Sequence, residues 1–172
     1  MISKERLIDY WESSGIIKDK KVIEAFRKIP RENFLKESEG EAYGDYPLPI
    51  GEGQTISQPT TVMIMTEALE LKNGDKVLEI GSGSGYQAAI ISKIVGEEGR
   101  VISAEIIEEL AEFAQRNIKK LGLKNVTIIN HDGSKGYEKE APYDKKTAKN
   151  ESVWQIGTVF ILIIVFILPN KL

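Results

Sequence analysis

The sequence predicts an α/β fold organised on a parallel sheet. Three observations carry that reading. Strand and helix patterns alternate from residue 76 to residue 130. A glycine-rich turn, Gly81-Ser82-Gly83-Ser84-Gly85, follows the first strand of that series and opens its helix. Acidic residues stand at the carboxyl ends of the next two strands, where open α/β sheets bind their ligands.

The chain has 172 residues, 41% hydrophobic and 28% charged, which suits one domain with a sizeable core. A net charge of −3, without a basic block, points away from nucleic acid as a partner. The absence of cysteine excludes a disulfide framework, thiol catalysis and cysteine metal sites, and no metal site is expected. Charges in the first six residues occupy the place of a signal peptide's apolar run, so a cytoplasmic location is expected.

In chain order, a first helix is expected over 3–14, with Ile2, Leu7, Tyr10 and Trp11 inward and Gly15 as its stop. A second follows over 19–29, with Asp19 as N-cap and Pro30 after it. Residues 31–35 read as a link and 36–41 as a solvated turn. The stretch 43–54 holds Gly44, Pro47, Pro49, Gly51 and Gly53, which excludes a regular helix. It also holds Tyr43, Tyr46, Leu48 and Ile50, so it reads as a stiff apolar loop that walls a site. A third helix runs to about residue 71. Ser57 is a candidate N-cap for it, with Pro59 in the first turn, and the same position could serve a ligand. Strands are expected over 76–80, 100–105 and 126–130, with helices over 85–95 and 108–121. Right-handed crossovers place the three strands side by side.

The strand ends suggest a nucleoside site. Glu105 lies 24 residues after Gly81, the offset of an acid that takes a ribose hydroxyl pair. Asp132, beside Gly133, is placed to accept from an adenine amino group. The glycines alternate at 81, 83 and 85, which departs from the dinucleotide spacing. Glu79 just before the turn would repel a pyrophosphate and suit a cationic ligand. S-adenosyl-L-methionine, with its ammonium and sulfonium, fits better than NAD. His131, the single histidine, reads as a strand-end neighbour of Asp132 without a catalytic part.

Residues 77–89 together with Glu105 resemble the S-adenosylmethionine motif of class I methyltransferases. The stretch 43–59, YGDYPLPIGEGQTISQP, resembles the signature of protein-L-isoaspartate O-methyltransferases. The likeness extends from the first helices through 125–137 to Pro142-Tyr143-Asp144. It implies a Rossmann-like class I methyltransferase sheet with helices on both faces, preceded by N-terminal helices and with its C-terminal strands incomplete. It also implies methyl transfer from S-adenosyl-L-methionine to the carboxylate of L-isoaspartyl and D-aspartyl residues in damaged proteins, a repair reaction. The family's active-site serine falls on Ser57. Thr55 and Ile56 would line the cofactor and substrate channel. Gly81, Ser82, Gly83 and Gly85 would hold the methionine part of the cofactor, with Glu79 nearby. Glu105 would bind the ribose, and Asp132 and Gly133 the adenine.

The domain reading assigns 1–144 to the methyltransferase domain, with 1–58 as N-terminal helices and substrate loop and 59–144 as the cofactor-binding half. Residues 145–172 read as an atypical polar linker and apolar tail. Val159 to Leu168 is an unbroken run of ten apolar residues, six of them Val or Ile. Three explanations stand: a truncated or frameshifted gene, a substitute strand beside the first strand of the sheet, or a membrane anchor. A spanning helix needs about 20 apolar residues, so a membrane is not the expected partner. The alternative function is a remnant of the family that binds cofactor only or is inactive.

Overall fold

The computed structural model describes residues 3–37, 39–148 and 165–166; for Glu39, Val165 and Phe166 it describes the backbone alone. Helix α1 spans Lys4–Ser14. The Ser3 hydroxyl accepts from the Arg6 N–H at 3.3 Å, and Gly15 closes the helix at φ +68°. Leu7, Ile8 and Trp11 are buried, whereas Tyr10, expected inward, is 52% exposed. The 7/8/11 stripe leaves position 10 on the helix flank. Ile2 lies outside the described residues. Helix α2, Lys20–Lys28, is capped by Asp19, whose carboxylate accepts from Lys21 N–H at 2.8 Å. The expected link at 31–35 is a 3₁₀ turn over Arg31–Phe34.

The loop expected at 43–54 contains a β-hairpin. Strand β1, Leu48–Gly51, pairs antiparallel with β2, Gln54–Ile56, through a two-residue turn. Glu52 and Gly53 both have positive φ, +53° and +68°, the geometry that matches the twist of a tight hairpin. Leu48, Ile50 and Ile56 point into the core. The alternation Leu48-Pro49-Ile50 carries the strand signal; Pro49 masks it and is accommodated at its exposed position.

Helix α3, Pro59–Ala68, leads to the main sheet. Strand β3 is Lys76–Ile80, followed by α4 (Tyr86–Val95), β4 (Arg100–Glu105), α5 (Glu108–Lys120) and β5 (Val126–Asn130). Gly122, at φ +65°, follows α5 as expected of a residue just past a helix end. With β6 (Lys145–Ala148) and β7 (Val165–Phe166), the strands run in the order β5-β4-β3-β6-β7, parallel from β5 through β6, with Val77 opposite Val101 and Val101 opposite Val126. Asn125 ties the amino end of this sheet together. Its side chain accepts from the Ser92 hydroxyl at 2.6 Å and donates to the Gly96 carbonyl at 2.7 Å, while its carbonyl accepts from Val101 N–H.

The polar linker expected to begin at Lys145 is corrected by strand β6, Lys145–Ala148, which lies parallel to β3 with Val77 opposite Lys145 and Ile80 opposite Ala148. Asp144 seats it: its N–H donates to the Lys76 carbonyl, and its carboxylate accepts from Lys76 N–H, both at 2.8 Å. The lysines of β6 are only half-buried, and Thr147 supplies its buried contact. The place beside β3 is therefore filled by β6 and not by the apolar tail. Val165–Phe166, β7, pairs antiparallel with β6 on its outer side. The rest of the tail, and with it the anchor and frameshift readings, lies outside the described residues. Among the described residues no helix is long and apolar enough to cross a membrane.

Candidate functional site

The glycine turn is shaped by its own backbone. Gly81, Gly83 and Gly85 have φ of +90°, +54° and +84°, values that side chains resist. Gly81 and Ser82 N–H both donate to the Ala104 carbonyl, at 2.8 and 3.2 Å, which folds the turn over the end of β4. A Cβ on Gly85 would meet Ala114 at 3.3 Å, so the residue also lets α4 and α5 approach. Asn117 of α5 holds the turn from behind, donating to the Ser84 carbonyl at 2.9 Å.

Glu105, only 6% exposed, faces this turn. One carboxylate oxygen accepts from Gly83 N–H at 2.8 Å and the other from Ile107 N–H at 3.1 Å. A carboxylate offers about four acceptor positions, so two remain for a diol. Glu79, buried in β3, accepts from the Ser103 hydroxyl. Ser103 and Ser82 hydroxyls lie 2.6 Å apart. With the Ser103 proton committed to Glu79, Ser82 donates to Ser103 and keeps both lone pairs for a donor such as an ammonium.

Asp132 and Gly133 complete the strand-end group. Asp132 accepts from the Ser134 N–H at 3.1 Å and the Ser134 hydroxyl at 2.7 Å, capping a short 3₁₀ turn. The Ser134 hydroxyl, then its N–H, holds this carboxyl below the ordinary carboxylate range. Gly133 lies against the sheet; a Cβ there would stand 2.7 Å from Ile80 Cγ2. His131 Nε2 is 3.0 Å from the Gly136 carbonyl, a structural contact that keeps it beside Asp132.

Thr55, Ile56 and Ser57 stand apart from this cluster in the chain, on β2 and the residue after it. Thr55 is exposed. Ile56 sends its side chain into the core, which leaves its backbone to meet a ligand. No hydrogen bond among the described residues joins these three to the glycine turn; α3 packs on α4 and so relates the two parts. Ser57 is not the N-cap of α3. Gln58 occupies that position without a side-chain capping bond. The capping acceptor comes from Asp45, whose carboxylate accepts from Thr60 N–H at 3.0 Å and from the Thr60 hydroxyl at 2.7 Å. The Ser57 hydroxyl makes no hydrogen bond among the described residues and is half-buried.

Sequence reading missed Ser103, Asn117 and Asp45. Ser103 and Asn117 carry a faint signal, a polar residue within an inward stripe. Asp45 carries none, because its partner lies 15 positions away. Beneath α4, the Arg31 guanidinium is fully buried, 5.1 Å from the centre of the Tyr86 ring, and its nitrogens make no hydrogen bond among the described residues. Burial lowers the Arg31 pKa and raises that of the Tyr86 phenol. Among the described residues no group of three or more His, Cys, Asp or Glu could hold a metal ion.

Residues 2–152 match the family model described as protein-L-isoaspartate(D-aspartate) O-methyltransferase. The chain is 61% identical over 127 residues to protein-L-isoaspartate O-methyltransferase 2 of Archaeoglobus fulgidus, covering 73% of this chain and 58% of that one. It is 54% identical over 143 residues to the protein-L-isoaspartate O-methyltransferase of Ignicoccus hospitalis, covering 83% and 68%. A solved protein-L-isoaspartate O-methyltransferase superposes with a TM-score of 0.78 at 36% identity, over 85% of this chain and 47% of that one. A putative family member from Plasmodium falciparum, in complex with S-adenosyl-L-homocysteine, gives 0.72 at 28% identity, over 84% and 72%. The chain thus spans about six-tenths of the Archaeoglobus relative and about half of the first solved structure. Matched along nearly all of its described length, it belongs to the protein-L-isoaspartate(D-aspartate) O-methyltransferase family.

Proposed function

We propose that this chain binds S-adenosyl-L-methionine and methylates the carboxylate of L-isoaspartyl and D-aspartyl residues in damaged proteins and peptides, in the cytoplasm. The observation that carries the reading is the Gly83–Glu105 pair. It sets an acceptor carboxylate against a glycine turn at the strand ends, in a chain whose residues 2–152 match the family. The donor set fits this group. Glu105 keeps acceptor capacity for a ribose diol, and Asp132 has a second oxygen outside the Ser134 bonds for an adenine amino group. The turn at Gly81–Ser82–Gly83–Gly85 lets a methionine chain lie against the backbone, and Glu79 is an acid suited to a cationic neighbour.

When bound, the cofactor supplies an electrophilic methyl on a positively charged sulfur. The substrate carboxylate is already the nucleophile, so the protein needs no general base. The glycine turn, Glu105 and Asp132 would hold the cofactor, whose methyl would pass to a carboxylate oxygen as the carbon–sulfur bond broke, giving a methyl ester and a neutral thioether. The protein's part is alignment and removal of water from the carboxylate. Ser57 donates its hydroxyl proton to that carboxylate and orients it. The 43–54 segment, as the β1–β2 hairpin, holds the substrate backbone.

Labelled cofactor offered with an isoaspartyl peptide, and with the aspartyl peptide as control, tests the reading. Label confined to the isoaspartyl peptide supports it. Cofactor binding without transfer supports the cofactor-binding remnant instead. Ser57→Ala is expected to lower turnover by roughly 10- to 100-fold while cofactor affinity stays within about twofold; an equal loss in both would remove the role given to Ser57.

A further inference from the structure

We propose that Asp45 is the positioning residue for Ser57: it caps α3 from the loop before β1, so that Ser57 is held in place with its hydroxyl spared for the substrate. The inference rests on the substrate-orienting role given to Ser57 above. A helix start leaves several N–H groups without partners, and a serine just before it ordinarily supplies the missing acceptor. Here Gln58 spends its side-chain oxygen on the Thr61 hydroxyl, at 3.3 Å, and Ser57 caps nothing. Asp45 does the work with both oxygens, one on the Thr60 N–H at 3.0 Å and one on the Thr60 hydroxyl at 2.7 Å.

Thr60 has one hydroxyl proton, and Asp45 takes it. The same oxygen therefore accepts from the Trp11 indole N–H, at 2.8 Å. Trp11 is fully buried and Thr60 is 8% exposed, so α1, the loop before β1 and the start of α3 meet at one shielded atom. Ser57 lies in a five-residue span, Ile56 to Thr60, pinned at both ends. Upstream, Ile56 pairs with Leu48 and is buried. Downstream, Thr60 is held by Asp45. Pro59 between them has a restricted φ. Few backbone paths satisfy all three constraints, and Asp45 supplies one of them without touching the reacting groups.

The test compares the full chain as wild type, Asp45→Ala, Asp45→Asn, Ser57→Ala and the Asp45→Ala/Ser57→Ala pair. Chemical shifts of Ser57 and amide exchange at Thr60 need no turnover. Asp45→Ala is expected to move the Ser57 resonances and speed Thr60 exchange by about tenfold or more, with S-adenosyl-L-homocysteine affinity within about twofold. Asp45→Asn keeps one acceptor and restores Thr60 protection in part; it also serves if the alanine variant fails to fold. Ser57 resonances unmoved in a folded Asp45→Ala chain overturn the proposal. Turnover on the isoaspartyl peptide should fall about tenfold in Asp45→Ala and show no further loss when Ser57→Ala is already present. Additive losses also overturn it. A wild type without turnover refutes the methylation reading alone, and the resonances still decide Asp45.

Discussion

The strand-end half of the molecule and its N-terminal half solve the same problem in opposite ways. Around the glycine turn, backbone N–H groups of a short contiguous motif make the contacts: Gly83 to the Glu105 carboxylate, Gly81 and Ser82 to the Ala104 carbonyl. In the N-terminal half, placement depends on side chains reaching across the fold. Asp45 and Trp11 meet on Thr60. Tyr43 donates to Glu32 at 2.5 Å, and Glu67 of α3 accepts from Lys18 and Asp19 N–H at the start of α2. A backbone-held site is written in local sequence. A site held by distant side chains is not.

The largest expected effect breaks the first kind of support. Glu105→Ala strips the partners from Gly83 and Ile107 N–H, and is expected to lower unfolding free energy by about 2–4 kcal/mol. Cofactor affinity should fall by about 100-fold, read by denaturant titration and calorimetry. Affinity near the wild-type value would show that the turn holds itself. A smaller effect, of opposite sign, comes from the N-terminal half. Arg31 is a buried cation whose guanidinium nitrogens make no hydrogen bond among the described residues. Arg31→Met exchanges it for an apolar side chain and is expected to raise stability by about 1 kcal/mol. A clear loss of stability would mean that its stacking on Tyr86 outweighs desolvation.

The smallest effect lies at the foot of the sheet, where Glu140 bridges Lys76 at 3.1 Å and Arg100 at 3.3 Å. The Lys76 bond, ahead of the Arg100 charge, holds its carboxyl below the ordinary glutamate range. A folded-state pKa below the unfolded one stabilises above the unfolded value and is lost as pH falls through the folded value. The melting temperature of wild type should therefore exceed that of Glu140→Gln at pH 7. The gap should close by about pH 3, below the usual carboxylate range.

Strands β3, β4 and β5 were legible to the residue, because each reads as a short run rich in Val and Ile between turn signals. The glycine turn and its acids were legible for the same local reason. The hairpin was hidden by Pro49 and by a turn made of Glu52-Gly53 in place of the commoner Asn-Gly. Strand β6 was hidden by Lys145 and Lys146, half-buried residues whose charge dominates any reading of hydropathy. Local sequence offers Ser57 as a cap, and Asp45 displaces it from outside the window in which capping is read.

Asn125 has a consequence for the order in which the molecule opens. Its side chain joins the end of α4 to the start of β5, and its carbonyl joins β5 to β4, all at the rim opposite the glycine turn. Fluctuations that separate the strands must first break this clasp, so amides at that rim are expected to be among the slowest to exchange. Breathing is then concentrated at the rim that carries the glycine turn. On the proposed function, a nucleoside would enter and leave by rearranging turns, on a far shorter timescale than unfolding, while the sheet beneath stays closed.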